Sequence, residues 1–148
     1  MGAVWLLAMP FLLGSVSEAI AQCSARHYNG ALVQARERAG PSMFWAHAGW
    51  DPDGWPSITY GPMFFQLPPL MQELTKIHEC MHISVPTMNE FDANCRALIV
   101  LRQRGLSPWD EDFIAQYHMR PDLQNLPPQY GGSGWAFWNG TIQCAGPR

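Results

Sequence analysis

The sequence predicts an α+β domain that is mainly helical and carries a small β-sheet. Its 148 residues suit a single domain, and 47% hydrophobic against 14% charged residues permit a packed core. Apolar residues recur at helical spacing in several segments that are bounded by capping residues, glycine or proline. Two short aromatic or β-branched segments flank a turn-rich stretch, which indicates the sheet.

The N-terminal half is expected to supply one helix and the sheet. Residues 24–39 carry apolar residues at roughly helical spacing, and the Gly-Pro pair that follows is a common helix stop. The segments SMFWAHAGW (42–50) and SITYG (57–61) are predicted strands, because they are short and rich in aromatic or β-branched residues. The stretch DPDGWP between them is rich in turn residues.

Three more helices are predicted after the sheet. The first covers about residues 70–84, with two prolines suited to its first turn. The second begins after a cap at Thr87 or Asn89 and continues to Gly105, a residue typical of the C-terminal end. The third follows Ser107 as its cap and has acidic residues in its first turn.

The C-terminal tail is predicted to be irregular. From Pro121 onward proline and glycine dominate, and YGGSGWAFWNG is expected to form loop or short irregular strand. Cys144 could tie this tail to the rest of the domain.

The cysteines predict two disulfides. An even number of cysteines in an exported chain suggests a disulfide framework, and sequence alone leaves three pairings open. On a helix Cys80 points away from the face that His78 and His82 share, which disfavours a Cys80–Cys95 bond without excluding it. The candidate disulfide cysteines are Cys23, Cys80, Cys95 and Cys144.

The first 21 residues are predicted to be a secretory signal peptide. The apolar stretch 4–13 is followed by small residues and by Ala-Ile-Ala at 19–21, which fits a cleavage site. The stretch is too short, and too interrupted by Pro10, for a membrane-spanning helix. Residues 22–148 are then expected to form one exported domain, periplasmic or secreted, without membrane attachment once the signal is cleaved.

The charge distribution argues against nucleic acid as a partner. The formal net charge is -3, the arginines are scattered and there is a single lysine, so no basic stripe is available to neutralise phosphates.

Residues 78–82 read H-E-C-M-H, the pattern H-E-x-x-H, on a predicted helix. Residues four apart share a helical face, so His78 and His82 can reach one Zn²⁺ at ~2.0–2.1 Å while Glu79 stands beside the open position of the metal. Zinc lowers the pKa of bound water from ~15.7 towards ~7, and Glu79 can take the proton and deliver it to a leaving amine. The pattern therefore predicts hydrolysis of an amide.

A catalytic zinc needs a third protein ligand, for which Glu90 and Asp92 are the nearest downstream candidates. They lie two apart on a helix and point to nearly opposite sides, so only one can face the metal. Glu90 shares its face with Asn94, whereas Asp92 shares its own with Arg96 as a surface ion pair. Glu90 is the predicted ligand.

The pattern H-E-x-x-H followed by a helix with E-x-x-A-D resembles the gluzincin metallopeptidases, especially their CAAX-prenyl-type and minimal minigluzincin members. Here HECMH and NEFDANCRAL carry the resemblance, over about residues 57–104, and they are similar to small exported bacterial proteins with unassigned substrates. The resemblance implies a zincin-like fold, with Glu90 as third ligand and Asn94 supporting a ligating histidine. By the same analogy, the strand with Tyr60 would be an edge strand that pairs with an extended peptide.

Two departures from the family pattern matter. Asn94 stands where many members have aspartate, so it can accept a histidine N–H but adds no negative charge. The interval from His82 to Glu90 is also shorter than in typical gluzincins, so the chain must turn sharply at SVPT (84–87).

The main hypothesis is an exported zinc metallopeptidase that acts on a peptide or protein substrate. The alternative is a disulfide-stapled, non-catalytic binding domain with a structural or vestigial zinc site. Among the other histidines, His27 and His47 are expected to be structural, because neither has a partner at ligand spacing. His118 and Tyr117 could polarise a substrate carbonyl, although core packing is the favoured interpretation.

Overall fold

The computed structural model describes residues 22–148, so the predicted signal peptide, residues 1–21, lies outside the described residues. The described chain forms four α-helices, three short 3₁₀ turns, a two-stranded sheet and a three-stranded sheet. This confirms the α+β class with a small sheet. Within residues 22–148, no helix combines the length and the apolar character that crossing a membrane requires.

The predicted helix over residues 24–39 is wrong, because three strands occupy this segment. Strands β1 (Ser24–Arg26) and β2 (Leu32–Gln34) form an antiparallel hairpin, and β3 (Arg36–Ala39) joins the other sheet. The turn between β1 and β2 contains Asn29, whose side chain accepts from the Ala31 backbone N–H, and Gly30 at φ +86. An Asn-Gly pair favours such a turn and disfavours a helix interior, where glycine costs ~1 kcal/mol.

The two strands predicted from SMFWAHAGW and SITYG are present as β4 (Ala46–Trp50) and β5 (Pro56–Tyr60), which pair antiparallel. The sheet order is β3-β5-β4, with β3 parallel to β5. Strand β5 is therefore central and buried along its whole length, and the expectation that the Tyr60 strand lies at an edge is wrong. A helix over residues 24–39 would leave one edge of β5 free. In the structure β3 pairs with that edge, and β4 pairs with the other.

The three helices after the sheet are confirmed. They are α1 (Pro69–Ser84), α2 (Glu90–Gln103) and α3 (Pro108–His118). The cap of α2 is Asn89, whose side chain accepts from two backbone N–H groups of the first turn, and Ser107 caps α3 in a capping box. Gly105, at φ +91, follows the end of α2.

The irregular tail that the sequence predicts is confirmed over residues 121–133, which form turns that include two 3₁₀ turns, but the following residues form a fourth helix, α4 (Gly134–Ala145). Ser133 caps it by accepting from the Ala136 N–H. Its glycines serve close packing rather than turns, since a Cβ on Gly134 would overlap the His118 carbonyl and one on Gly140 would overlap the ring of Phe91. Tertiary contact therefore explains these two glycines, whereas Gly131 and Gly132, at φ +73 and +81, lie in the turn before the helix.

Helix α1 occupies the middle of the domain, where it packs against α2 on one side and against β4 and β1 on the other. Helix α4 packs against α2 and α3. Fully buried side chains from the sheet, α1, α2 and α3 share one core; they include Ile58, Met71, Ile83, Leu98 and Ile114.

Both disulfides are formed, as predicted, and the structure decides their pairing. Cys23–Cys80 joins the residue before β1 to α1, and Cys95–Cys144 joins α2 to α4. The disfavoured Cys80–Cys95 bond is not made. Two disulfides are typical of a protein from an oxidising compartment.

Candidate metal centre

The turn between α1 and α2 brings the two helices' polar residues together. Only residues 85–89 separate Ser84 from Glu90, and the carbonyl of Thr87 in this turn lies 2.7 Å from Nδ1 of His82. Glu90 is the first residue of α2, so the turn places its carboxylate beside the last turns of α1. The sharp reversal that the short interval requires is present.

His78, His82 and Glu90 meet at one point and could hold a metal ion. The Nε2 atoms of the two imidazoles are 3.1 Å apart, and Oε2 of Glu90 lies 3.0 Å from Nε2 of His78 and 3.4 Å from Nε2 of His82. Three ligands at ~2.0–2.1 Å from a tetrahedral ion are separated by about 3.3 Å. The three distances between the side chains are close to that value.

The hydrogen bonds of His82 fix which of its nitrogens carries the proton. A backbone carbonyl only accepts, so Nδ1 of His82 donates to the Thr87 oxygen. In the neutral ring, Nε2 then presents a lone pair towards His78 and Glu90, which is the orientation that a metal ligand needs.

His78 is fixed through a longer chain of hydrogen bonds. Thr141 donates its hydroxyl proton to the Phe137 carbonyl at 2.9 Å, so its oxygen accepts from the Asn94 side-chain N–H, also at 2.9 Å. This orients the Asn94 carbonyl oxygen towards Nδ1 of His78, at 3.3 Å. Nδ1 donates, and the lone pair of Nε2 points to the shared centre.

The charges at the centre depend on one another. Burial raises the pKa of the Glu90 carboxyl, but the hydrogen bonds and charges of His78 and His82 outweigh burial and bring the pKa to about 2. Burial lowers the pKa of His82, but Glu90 and the Thr87 carbonyl outweigh this and raise it. The protein groups alone therefore favour positive charge at the point where the three side chains meet.

Glu79 lies next to this centre and on its other side borders a cavity. It is 8% exposed, and burial raises the pKa of its carboxyl, an effect that electrostatic interaction with His78 and His82 partly offsets. Its carboxylate is not among the three groups that converge. A carboxylate with a raised pKa beside a cavity has the properties of a general base.

The cavity has a volume of about 310 Å³ and is mostly apolar. His78, Glu79 and Asn94 line it from the side of the metal centre. Tyr130 lines it from the segment between α3 and α4, and burial together with the negative charges of Glu90 and Glu79 raises the pKa of its phenol. The apolar lining includes Met43, Phe44, Trp45, Met71, Leu123 and Leu126.

The remaining candidates do not belong to the group of three that converge. Asp92 forms an ion pair with Arg96 at 2.9 Å, as expected, on the surface of α2. His27 bonds to the backbone oxygen of Asp53 in the N-terminal region. His118 is buried, bonds to the Ile114 carbonyl and stacks on Trp138, in keeping with the packing interpretation, and it also lines the cavity.

Two groups that orient the histidines were not predicted from the sequence: the Thr141 hydroxyl, which bonds to Asn94, and the Thr87 carbonyl, which bonds to His82. Thr141 lies on α4, and a helical reading of FWNGTI after Ser133 as a cap would have found it. The Thr87 carbonyl is a backbone group, so residue identity carries no signal for it.

Comparison with known proteins adds no relative: no family model matches the chain, and neither a curated protein nor a solved structure is significantly similar to it.

Proposed function

We propose that this chain is an exported zinc metallopeptidase of the gluzincin type, with His78, His82 and Glu90 as metal ligands and Glu79 as general base. The observation that carries the proposal is the convergence of two imidazole lone pairs and one carboxylate oxygen within 3.0–3.4 Å. Such a group of acceptors is electrostatically unfavourable unless a cation or a proton lies between them.

The donor set suits zinc. Two imidazole nitrogens and one carboxylate oxygen are the ligands of many catalytic zinc sites, which use three protein ligands and keep a fourth position for water or substrate. Structural zinc sites instead have four protein ligands, commonly with cysteine thiolates. All four cysteines here are in disulfides and have no thiolate to offer. A site of three ligands therefore favours catalysis.

Each residue has a separate role in the proposed reaction. When bound, zinc supplies Lewis acidity, which acidifies water and polarises a carbonyl. Glu79 accepts the proton of the attacking water and delivers it to the amine that leaves as the peptide bond breaks. Asn94 and the Thr87 carbonyl hold the two imidazoles in their metal-binding tautomers.

Two features of α2 support the gluzincin type in particular. Oε2 of Glu90 on this helix lies near Nε2 of both histidines of α1. The side-chain oxygen of Asn94, one turn further on, accepts from Nδ1 of His78, the ring nitrogen that does not face the centre. This is the arrangement that the resemblance implies, with asparagine in place of aspartate.

Metal analysis and peptide cleavage test the proposal together. We expect one zinc per chain in the purified protein, and loss of that zinc in His82→Ala, because a single lost ligand removes a third of the donor set. Glu79→Gln should keep its zinc but lose at least ~100-fold in cleavage rate, the typical contribution of a general base. Zinc-bound protein whose cleavage rate is unchanged in Glu79→Gln would reject the role of Glu79.

Matched controls are available on the same helices. Asp92→Asn removes a carboxylate from α2 that pairs with Arg96, and Glu73→Gln removes one from α1 that pairs with Arg104. Both should keep zinc and activity. Zinc at one per chain without cleavage of any peptide in a broad library would favour the alternative, a binding domain with a non-catalytic metal.

A further inference from the structure

The cavity beside Glu79 contains one polar side chain that the metal centre does not use. Of the polar residues that line it, His78 and Asn94 belong to the hydrogen-bond chain of the metal centre, and Thr75 bonds to the carbonyl one turn earlier in its own helix. Glu79 and Tyr130 lie in the electrostatic field of that centre. His118, on α3, feels the same field through His78, but its side chain makes no hydrogen bond to any residue of the centre.

His118 presents a hydrogen-bond acceptor to this cavity. Its Nδ1 lies 2.8 Å from the Ile114 carbonyl, so Nδ1 carries the proton and Nε2 has a lone pair. Within residues 22–148, no protein group hydrogen-bonds to Nε2 and no fully buried side-chain nitrogen lacks a partner, so Nε2 is open to the cavity. The residue is only 4% exposed, and its ring stacks on Trp138 at 5.3 Å between centroids.

The rest of the wall is apolar and the entrance is open. Met43 and Met63 line the cavity and are 93% and 56% exposed, so they border its mouth. Leu123 and Leu126 line it from the segment before α4. A volume of about 310 Å³ is at the lower end of the ~300–1,000 Å³ of small-molecule sites, enough for one large side chain.

We infer that this cavity binds a ring-shaped apolar side chain with one hydrogen-bond donor, the tyrosine or tryptophan of a peptide substrate, and that His118 accepts from that donor. This inference extends the proposed function, and the identification of the bound side chain as part of a substrate rests on that function. An apolar ring without a donor would displace water from Nε2 and leave the acceptor unpaired in a buried site, which costs binding free energy. Tyrosine and tryptophan combine a large apolar surface with one polar hydrogen.

Small probes test the binding step without requiring catalysis. We expect p-cresol to bind the protein about five- to tenfold more tightly than toluene, as one net hydrogen bond allows. A cavity without a paired acceptor would give the reverse order, because burying the phenol hydroxyl would then cost free energy. NMR titration of the full chain with each probe measures both affinities, and equal binding or preference for toluene would overturn the inference.

Two variants locate the acceptor. His118→Phe keeps a ring against Trp138 and removes Nε2, so p-cresol should lose its advantage. Leu126→Ala enlarges the same cavity but keeps His118, so the preference for p-cresol should persist. A preference that survives in folded His118→Phe would overturn the role of His118. If that variant does not fold, the ¹⁵N shift of His118 Nε2 in the p-cresol titration of the unmodified protein decides, and an unchanged shift would overturn that role.

Cleavage of a peptide library by the zinc-loaded protein then separates the two proposals. Cleavage next to tyrosine or tryptophan, at least fivefold faster than next to phenylalanine or leucine, supports both. Cleavage without that preference would sustain the peptidase and overturn the inference. Preferential p-cresol binding without cleavage of any peptide would overturn the peptidase and retain a donor-selective ring site.

Discussion

The two histidines of the candidate metal centre are held by different means. His82 donates to a backbone carbonyl five residues ahead, within the turn that joins α1 to α2. His78 depends on Asn94 and, through it, on Thr141, which lies 47 residues beyond Asn94 on α4. One imidazole is therefore fixed by local chain geometry, and the other by a helix that only tertiary packing brings into place.

The two kinds of support differ in how easily a substitution disturbs them. A backbone carbonyl cannot be removed by substitution, so the support of His82 is as stable as the turn itself. The support of His78 consists of side chains and of the contact between α2 and α4, which Cys95–Cys144 tethers. Perturbations of α4 should therefore reach the metal through His78.

Removal of the α2–α4 disulfide is expected to have the largest effect on stability and zinc binding. Cys95→Ala with Cys144→Ala should lower the free energy of unfolding by about 2–5 kcal/mol and weaken zinc binding, because α4 carries Thr141. The matched control is Cys23→Ala with Cys80→Ala, which should cost similar stability but affect zinc affinity less, since that bond joins the residue before β1 to α1 and does not involve α4. Thermal unfolding and competition with a chelator measure the two quantities, and equal losses of zinc affinity would contradict the contrast.

Asn94→Ala should weaken zinc binding by about 10–100-fold, since it removes the acceptor that orients His78. Asn94→Asp keeps an acceptor and adds the charge usual in gluzincins, so its affinity should match or exceed that of the unmodified protein. Thr141→Val, which only loosens the orientation of Asn94, should have a smaller effect in the same competition assay. An unchanged zinc affinity in Asn94→Ala would contradict the argument that His78 depends on α4.

The smallest expected effect is the pH dependence of stability in protein from which a chelator has removed metal. The pKa of His82 is raised above its ordinary 6.5, so its contribution to stability is complete below about pH 6.5 and is lost as pH rises through the folded value. The Glu90 carboxyl, with a pKa of about 2 against 4.5, contributes above about pH 4.5 and loses that contribution as pH falls towards 2. The Tm advantage of this protein over Glu90→Gln should thus be larger at about pH 5.5 than at about pH 8.5. A pH-independent difference would show that the pair does not couple to folding.

Local signals account for what could be predicted. Asn89, Ser107 and the prolines at the starts of α1 and α3 mark helix ends, and the four-residue spacing of His78 and His82 places them on one face. The choice of Glu90 over Asp92 also followed from helical geometry, and the structure brings Glu90 to the two histidines and Asp92 to Arg96. These features depend on residues within a few positions of one another.

The features that could not be predicted depend on contacts between segments that are far apart in the sequence. Residues 24–39 have a weak helical pattern, yet pairing with β5 made part of them a strand. Gly134 and Gly140 suggest a loop, although they lie in a helix where they let His118 and Phe91 pack closely. The pairing of the cysteines, the support of His78 and the cavity with His118 all join segments that are far apart in the chain. Capping residues and helical periodicity are local, so they were enough to predict α1, α2 and α3 and the three residues that could hold a metal ion. The supports of those three residues and the cavity beside them come from contacts between distant segments, which form only when the chain folds.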